Sequence, residues 1–455
     1  MNPQEVLRKQ TEFFNSGKTR NVSFRIAMLK KLFSALKENE EMILDALNKD
    51  LSKGRVEAYS TELGIVYSEL RYHMHHVRKW AKRKRVRTAL LHFPSKSYVI
   101  KEPVGNTLIM SPWNYPVQLT LVPLIGAISA GCTAVIKPSR YSENVSKALS
   151  QVLSVFDESY IALFEGGREM NSTLLALKWD YIFFTGSPNV GKIVAKTAGE
   201  SLTPYTLELG GKSPVIIDES ADIEKACSRI AFGKLINAGQ TCIAPDYFLV
   251  HKSKVKEFMT TLPCYIEKFY SVSPLDNPDY PKIINRHHYD RVKGLIDASS
   301  VVYGGKYDDE KMKISPTILY PVREDEPVMM EEIFGPVIPV LEYEDLSEAI
   351  DMIRNRPRPL ALYIFSKKKK TIKRVHSSVI FGGGCVNDVI MHIVSHTLAF
   401  GGIGNSGSGA YHGKHSYDTF THEKSILKHS LFPDITLRNP PYGRLKEKII
   451  RIMLH

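Results

Sequence analysis

Residues 181–192 read Tyr-Ile-Phe-Phe-Thr-Gly-Ser-Pro-Asn-Val-Gly-Lys, and this order of residue types carries the clearest signal for the architecture of the chain. Four apolar residues, typical of a buried strand, lead into a glycine-containing turn, and a helical pattern follows to about residue 198. Two earlier stretches, Thr107-Leu-Ile-Met110 and Thr133-Ala-Val-Ile136, repeat the same order. Strand, loop and helix in repetition predict an α/β fold with a parallel sheet covered on both faces, and ligands at the carboxyl ends of its strands.

The turn itself, Gly186-Ser-Pro-Asn-Val-Gly-Lys192, matches the pattern Gly-x4-Gly-Lys, in which backbone amides bind phosphate oxygens. That pattern needs Ser or Thr next, to ligate magnesium, but the following residue is Ile193, so an NTPase site is disfavoured. A glycine-bearing turn that opens a helix still offers free amides and the helix dipole to an anion. The pyrophosphate of a dinucleotide suits such a site, although the spacing Gly-x-Gly-x-x-Gly is absent.

The regions on either side of these repeated units differ in pattern. Before them, residues 22–80 carry apolar side chains at helical spacing, which predicts amphipathic helices, and we assign no chemistry to them. His73, His75 and His76 have no cysteine or carboxylate partner at ligand spacing, so we expect surface histidines and no metal site. After the repeated units, a second strand-rich portion runs from Pro214 to about residue 400.

Composition places the chain among soluble globular enzymes. Its 455 residues suggest about three structural units, and 43% hydrophobic and 24% charged residues are ordinary values for such proteins. Five cysteines, an odd number without a Cys-x-x-Cys pair, argue against a disulfide framework or structural zinc and predict a cytoplasmic location. We expect no signal peptide from the first residues, and no apolar run reaches the roughly 20 residues of a membrane span.

The net charge of +13 raises the question of a nucleic-acid partner. Basic residues cluster at 79–87 and 367–370, but no helix-turn-helix, zinc-finger or aromatic RNA-reading motif accompanies them, so we expect no nucleic acid. A solvated basic surface explains this charge, because charge alone concerns solubility and steering more than fold. An anionic partner, such as a dinucleotide or an acidic membrane surface, would be steered by the same charge.

Two reactive residue types stand in contexts that suit catalysis. Cys242 follows Ala238-Gly-Gln-Thr, a small and polar stretch that predicts a tight, exposed segment, and a thiol with a pKa of about 8.5 needs activation to act as a nucleophile. Glu208 lies between Leu207 and Leu209, and burial would raise the pKa of its carboxyl toward the range of a general base. A structural salt bridge at Glu208 remains an alternative. Cys385 follows three glycines and could line the same cleft.

Six motifs, in this order and spacing, resemble those of the aldehyde dehydrogenase superfamily. They are Ser111-Pro-Trp-Asn-Tyr-Pro116, Lys137-Pro-Ser139, Phe184-Thr-Gly-Ser187, Leu207-Glu-Leu-Gly-Gly-Lys-Ser-Pro214, Gly239-Gln-Thr-Cys242 and Glu331-Glu-Ile-Phe-Gly-Pro336. Residues 384–392 and 409–416 further resemble the class 3 branch, which acts on fatty and aromatic aldehydes. The match covers nearly the whole chain, and six motifs in register are specific where one alone would not be.

The resemblance implies an NAD(P)-dependent oxidation of aldehydes to carboxylic acids. Cys242 would attack the aldehyde to give a thiohemiacetal, whose oxyanion the Asn114 side chain and the Cys242 backbone amide would hold. After hydride transfer to NAD or NADP, Glu208 would activate the water that hydrolyses the resulting thioester. The residues implied to hold the cofactor are Lys137 and Arg140 near the adenosine ribose, Gly186 and Ser187 near the pyrophosphate, and Glu332 and Phe334 at the nicotinamide end. Those implied to line the substrate funnel are Tyr115, Leu119, Ile390, Met391, Ile393 and Phe400, although the same residues could belong to the core.

The resemblance also implies a division of the chain. A helical N-terminus and a Rossmann-like dinucleotide-binding domain would take 1–80 and 103–209, and an α/β catalytic domain would take 210–416. Residues 81–102 and 417–455 would form bridging or oligomerisation segments of a homodimer. The tail from Pro440 to His455 predicts a short basic amphipathic helix that contacts a neighbouring subunit or a membrane surface.

Arg140 departs from the family pattern, which usually has an acidic residue there to accept hydrogen bonds from the adenosine ribose. A guanidinium cannot accept those bonds but can pair with a 2′-phosphate. We therefore expect NADP to be used at least as well as NAD, with the alternative that Arg140 points to solvent and Lys137 alone suffices. Two other functions stay open. Glu208 disfavours a coenzyme A-acylating dehydrogenase, and the presence of Cys242, Glu208 and Asn114 together disfavours a non-catalytic binding member of the family.

Overall fold

The structure, a computed structural model, describes residues 2–89, 92–432, 437 and 439–454, and its helices follow the apolar periodicity of the sequence. The helices are α1 Pro3–Asn15, α2 Val22–Glu38, α3 Glu40–Leu51, α4 Arg55–Ala58, α5 Gly64–Trp80, α6 Gln118–Ala130, α7 Glu143–Leu153, α8 Arg168–Leu175, α9 Pro188–Glu200, α10 Ile223–Leu235, α11 Lys252–Tyr270, α12 Arg286–Lys293, α13 Pro327–Met330, α14 Leu346–Arg354, α15 Lys369–Ser378, α16 Lys414–Thr419 and α17 Arg444–Leu454.

The strands are short, and several of those in the two larger sheets are buried along their whole length. They are β1 Lys84–Val86, β2 Lys96–Pro103, β3 Asn106–Met110, β4 Thr133–Lys137, β5 Ile161–Leu163, β6 Tyr181–Gly186, β7 Tyr205–Leu209, β8 Pro214–Ile217, β9 Tyr247–His251, β10 Val301–Tyr303, β11 Tyr307–Asp308, β12 Lys313–Ile314, β13 Thr317–Leu319, β14 Val337–Tyr343, β15 Ala361–Phe365, β16 Gly383–Val386, β17 Gly407–Ser408 and β18 Thr421–Lys428.

A six-stranded sheet has the order β17-β7-β6-β3-β4-β5 and is parallel except at β17, which pairs antiparallel with β7. The chain enters at β3, moves outward to β4 and β5, and then returns to β6 on the other side of β3. Ligands of open parallel sheets bind where the strand order reverses in this way, beyond the carboxyl ends of the strands. Here that point lies beyond β3 and β6.

A seven-stranded sheet has the order β10-β13-β14-β9-β8-β15-β16 and is parallel except at β10. A third sheet, β1-β2-β18, is antiparallel. These sheets confirm the predicted α/β fold with Rossmann-like parallel sheets. The predicted domain boundaries stay a prediction, and β17, inside the predicted catalytic portion, pairs with the first sheet.

One of the histidines expected at the surface lies in the core. His73, expected at the surface, is fully buried. Its Nδ1 forms a hydrogen bond with the Ser129 hydroxyl at 2.7 Å and its ring packs against Trp80, so the polar ring is accommodated in the interior.

The C-terminal tail forms α17 as expected. His455 and residues 433–436 and 438 of the predicted bridging segment lie outside the described residues, as do residues 90 and 91. No helix in the described ranges combines the length and apolarity needed to cross a bilayer.

Candidate active site

The ends of three neighbouring strands bring the site's first residues together. β3 ends at Met110, and the loop after it carries Asn114, while β6 ends at Gly186 and runs through Ser187 into α9. β7, on the other side of β6, carries Glu208 at its second-last position. Because parallel strands end at one edge of a sheet, residues far apart in sequence meet beyond this edge.

The second sheet supplies the remaining residues from its opposite edge. Cys242 lies shortly before β9, and Glu332 and Phe334 lie shortly before β14. β9 and β14 pair in parallel, so both segments emerge at the amino edge of this sheet and face the first one.

Two cavities meet at Cys242. The larger, of about 670 Å³, runs between the sheets and is lined by Trp113, Ser187, Lys192, Arg291, Glu332 and Phe334 among others. The smaller, of about 290 Å³, is lined mainly by apolar side chains. Both cavities are lined by Leu119, Thr185, Glu208, Leu209 and Cys242. A reacting group at Cys242 is therefore reachable from two separate compartments.

Glu208 is a buried carboxylate that forms no salt bridge with the residues described by the structure. Its side chain is 3% exposed, and neither carboxylate oxygen has a hydrogen-bond partner within the described part of the chain. Burial raises the pKa of its carboxyl well above the ordinary value. The alternative prediction, a structural salt bridge at Glu208, is therefore wrong. A buried carboxyl that has a raised pKa and no ion-pair partner is typical of a general base.

Two hydroxyl groups near Glu208 were missed by sequence reasoning. Thr185 and Tyr411 line the smaller cavity with Glu208, and their buried hydroxyl oxygens have no partner among the described residues. Buried polar atoms without partners are costly, so they indicate a position for water or ligand. Thr185 lies in the motif Phe184-Thr-Gly-Ser187 and Tyr411 lies in the stretch 409–416, so both positions were within the resemblance. Neither was assigned a role, because a Thr or Tyr hydroxyl by itself does not indicate a catalytic function.

Cys242 is half-buried at the junction of the cavities. Burial raises the pKa of its thiol, and the nearby carboxylates of Glu332 and Glu208 raise it further. The thiol therefore keeps its proton at neutral pH until a base or a bound ligand changes its surroundings.

The prediction of an exposed segment before Cys242 was wrong, because residues 237–241 are buried. Their polar side chains form hydrogen bonds with other parts of the protein. The Asn237 amide donates to the carbonyls of Asn114 and Gln240, and the Gln240 amide accepts from Ile284 N at 3.0 Å. Asn237 and Ala238 have left-handed backbone angles, with φ of 53° and 51°, which fold the segment tightly enough to be enclosed.

Asn114 is held from several directions. Its Nδ2 donates to the carbonyl of Gln240 at 3.1 Å, close to Cys242, and its own carbonyl accepts from Lys53 Nζ at 3.0 Å. Lys53 is fully buried and paired with Glu62 at 2.9 Å. The N-terminal helical region thus positions the site, although its sequence pattern carried no chemistry. A Lys and a Glu nine residues apart have no recognisable spacing, so this contribution could not be predicted.

The smaller cavity contains the predicted substrate residues. Its walls include Tyr115, Leu119, Ile390, Met391, Ile393 and Phe400. Cys385, in contrast, lines neither cavity and lies 3.6 Å from Nδ1 of His392. No group of three or more His, Cys, Asp or Glu side chains within the described ranges is arranged to hold a metal ion.

This arrangement can be compared with known proteins. Residues 4–426 match the aldehyde dehydrogenase family, which is nearly the whole chain.

The chain belongs to the aldehyde dehydrogenase family.

Its relatives within this family include close ones. It is 49% identical over 438 residues to the 4,4'-diaponeurosporen-aldehyde dehydrogenase of Staphylococcus aureus, covering 95% of each chain. It is 42% identical to human aldehyde dehydrogenase family 3 member B1, covering 99% of this chain and 97% of the relative. These matches confirm the predicted class 3 resemblance. The protein is an aldehyde dehydrogenase, an NAD(P)-dependent oxidoreductase.

Solved structures of other aldehyde dehydrogenases have the same fold. The substrate-bound state of Staphylococcus aureus AldH superposes with a TM-score of 0.98 at 47% identity, covering 99% of each chain. An indole-3-acetaldehyde dehydrogenase in complex with NAD+ superposes with a TM-score of 0.86 at 25% identity, covering 94% of this chain and 89% of its own. The cofactor of the family, and of this dehydrogenase, is NAD or NADP.

The larger cavity fits such a dinucleotide. Ser187 is the N-cap residue of α9, and its side chain makes no capping hydrogen bond to that helix. The first turn of α9 has no acidic residue, so its free amides and dipole suit a phosphate. Lys192 adds a positive charge to the same wall. Burial, and then the carboxylate of Asp246, raise the pKa of Glu332 to about 8, which favours the protonated form of its carboxyl at neutral pH.

The two residues predicted for the adenosine ribose lie outside the lining of this cavity. Lys137 is buried at the end of β4 and donates to the carbonyl of Pro138 at 2.6 Å; burial, and then Arg140, lower its pKa to about 8. Arg140 is exposed, and its guanidinium lies 5.0 Å from the ring of Tyr141. Their roles in cofactor binding stay a prediction.

Proposed function

We propose that this dehydrogenase oxidises medium-chain, long-chain or aromatic aldehydes to carboxylic acids through a covalent intermediate on Cys242. One observation carries the proposal: the thiol of Cys242 and the unpaired carboxyl of Glu208 share the junction of a dinucleotide-sized cavity and an apolar one.

The reaction starts when the Cys242 thiol releases its proton to water in the cavity and its sulfur adds to the aldehyde carbon, which forms a thiohemiacetal with a negatively charged oxygen. The oxyanion accepts hydrogen bonds from the Asn114 side chain and the Cys242 backbone amide. Residues that line the larger cavity, among them Ser187, Glu332 and Phe334, would hold NAD or NADP, which would supply the acceptor for the hydride of this carbon. The carbon then remains on Cys242 as a thioester, and Glu208 takes a proton from the water that attacks it. The acid leaves, and the thiol of Cys242 is regenerated.

The apolar walls of the smaller cavity support the substrate class. Each buried methylene contributes about 0.8 kcal/mol, which corresponds to about fourfold in kcat/KM while the chain stays inside the cavity. We expect kcat/KM to rise by this factor per carbon from propanal toward decanal, and benzaldehyde to exceed propanal, as measured by the absorbance of the reduced cofactor. A flat or falling series would contradict the apolar substrate class.

The product distinguishes this function from a coenzyme A-acylating dehydrogenase. That enzyme would pass the thioester to a thiol and would need no water-activating base, whereas Glu208 supplies one. Carboxylic acid, and no acyl-CoA, should therefore accumulate when free coenzyme A is added to the assay.

Asn114→Ala should lower kcat by about 10²–10³, because one of the two donors to the oxyanion is lost. Binding of the cofactor should be unchanged, since this side chain acts on the substrate oxygen. Stopped-flow measurement of the first turnover checks the prediction, because the loss belongs to the acylation half of the reaction. Wild-type acylation in this variant would remove Asn114 from the oxyanion site.

NADP should be used at least as well as NAD, because the Arg140 guanidinium can pair with a 2′-phosphate. Arg140→Glu should then lower the ratio of kcat/KM for NADP to that for NAD by about tenfold or more, the size of a charge-assisted hydrogen bond. Lys147→Glu, the same charge change at an exposed site on α7, is the control and should leave the ratio in place. An unchanged ratio in Arg140→Glu would show that this side chain serves only the solvated surface.

The oligomeric state and the cellular compartment of the protein are also part of the proposal. We infer a cytoplasmic homodimer in which the tail contacts the partner subunit or an acidic membrane surface. Free cysteines throughout the chain support a reducing compartment. The exposed apolar side chains of α17, among them Leu445 and Ile452, support a role for the tail in contact with a second surface.

A further inference from the structure

Glu69, on α5, is a buried charged side chain that lines neither cavity. It is 1% exposed. Its Oε2 accepts a hydrogen bond from His396 Nδ1 at 2.6 Å, and its Oε1 accepts one from the backbone N–H of Gly413, also at 2.6 Å. His73 Nε2 lies 3.3 Å from Oε1. A buried carboxylate is costly unless such partners satisfy it, so this residue fixes the parts of the chain that supply them.

The partners of Glu69 belong to the segment that forms one side of the apolar cavity. This segment, residues 390–413, is called the wall segment here. The cavity residues that it supplies are Ile390, Met391, Ile393, Val394, Phe400 and Tyr411. His396 lies between the first four of these and Phe400, and Gly413 follows shortly after Tyr411. The two oxygens of Glu69 therefore hold the wall segment at its middle and at its end.

Further contacts make this attachment specific. His396 Nε2 bonds the Ser68 hydroxyl at 2.9 Å, and its ring stacks on Tyr72 with centroids 4.7 Å apart. Gly413 has a φ of 53°, and a Cβ at this position would lie 2.0 Å from the His396 carbonyl oxygen. His396 and Gly413 thus pack against each other as well as against α5. These contacts fix the position of the wall segment relative to α5.

The wall segment also contacts the strand that carries Glu208. β17 pairs with β7, with Gly407 opposite Glu208, and Leu209 N donates to the Ser406 carbonyl at 3.1 Å. A shift of the wall segment would change the width of the apolar cavity next to the reacting residues.

We propose that Glu69 is a positioning residue that sets the aldehyde selectivity of this enzyme by holding the wall segment against α5. This inference rests on the proposed apolar substrate class. Long aldehydes contact Ile393, Val394 and Phe400 along the cavity, whereas a short aldehyde reaches Cys242 without using most of that wall. A displaced wall therefore weakens the binding of long aldehydes more than that of short ones.

Glu69→Gln tests this inference, because glutamine keeps the size of the side chain but has one acceptor oxygen for two donors. The ratio of kcat/KM for decanal to that for propanal should fall about tenfold, mainly through the KM of decanal, which is the size expected for one lost hydrogen bond to a charged acceptor. His396→Gln, which removes one of the two partners, should shift the ratio in the same direction.

Asp50→Asn is the matched control. Asp50 is also a buried carboxylate of the N-terminal helices, 7% exposed, and it accepts hydrogen bonds from Asn144 Nδ2 at 2.6 Å and Val145 N at 2.9 Å, which belong to α7 and not to the wall segment. The Asp50→Asn variant should have a lower thermal stability but an unchanged ratio of kcat/KM for decanal to that for propanal. An equal fall for both aldehydes in Glu69→Gln, or an unchanged ratio, would overturn the inference.

Hydrogen exchange gives a second readout that does not depend on the substrate. Backbone amides of residues 396–413 should exchange faster in Glu69→Gln than in the wild type and in Asp50→Asn, and wild-type exchange there would overturn the inference. The wild-type preference for decanal tests the proposed substrate class separately. Faster exchange without such a preference would refute that class while leaving the attachment by Glu69 in place.

Discussion

Cys242→Ala is expected to leave no measurable turnover of any aldehyde. The reaction requires a sulfur that becomes covalently acylated, and alanine cannot form the thiohemiacetal. The effect should be total, because the other cysteines lie elsewhere: Cys132 and Cys227 are buried, Cys264 is exposed on α11, and Cys385 lines neither cavity. Steady-state assays with decanal and either cofactor measure it.

Two controls separate this chemical loss from a loss of fold. Cofactor binding, followed by the fluorescence of the protein, should persist in Cys242→Ala, since this side chain is small and only half-buried. Cys385→Ala, which removes a thiol outside the cavities, should keep most of the activity. Full steady-state activity in Cys242→Ala would end the assignment of the nucleophile.

Glu208→Gln is expected to lower kcat by about 10²–10⁴, chiefly in the hydrolysis of the thioester. The amide cannot accept a proton from water, but the Cys242 thiol can still be acylated. A burst of reduced cofactor, equal to about one per active site, should therefore survive and be followed by a slow steady state. Rapid-mixing absorbance measurements show both phases. A variant that loses the burst together with the steady rate would place Glu208 in acylation instead.

The pH dependence of this step follows from the burial of Glu208. Because burial raises the pKa of its carboxyl, the group is protonated and inactive as a base at low pH, and it gains activity as the pH rises through that pKa. Wild-type hydrolysis should therefore increase as the pH rises through the raised pKa of Glu208, at a higher pH than for an ordinary carboxyl. The Cys242 thiol does not titrate in this step, because its sulfur is acylated. The slow phase of Glu208→Gln should lack the part of this increase that belongs to the carboxyl.

Much of the framework was predictable because it depends on local pattern. Strands β3, β4 and β6 and the helices after them follow from short apolar runs that end in turns, and the reversal of strand order then places Asn114 and Gly186 at one edge. Five of the six motifs contain residues that line the larger cavity, and the motif Lys137-Pro-Ser139 does not. These runs and motifs could be recognised from the sequence because each one lies within a few consecutive residues.

The contributions that escaped prediction all depend on distant contacts. Lys53, in the N-terminal helical region, donates a hydrogen bond to Asn114, and Glu69, on α5, holds the wall segment. Neither residue lies in a sequence motif that indicates its role. His73 and residues 237–241 look polar and therefore exposed, but internal hydrogen bonds satisfy them and allow their burial. Polarity alone does not reveal whether a partner is water or another part of the chain.

The most direct test of the covalent mechanism is peptide mass spectrometry of Glu208→Gln after incubation with decanal and oxidised cofactor, since slow hydrolysis should let the intermediate accumulate. We predict a decanoyl group on the peptide that contains Cys242, at close to one per chain, and none on peptides containing the other cysteines. An unmodified Cys242 in an enzyme that still produces decanoic acid would contradict the mechanism.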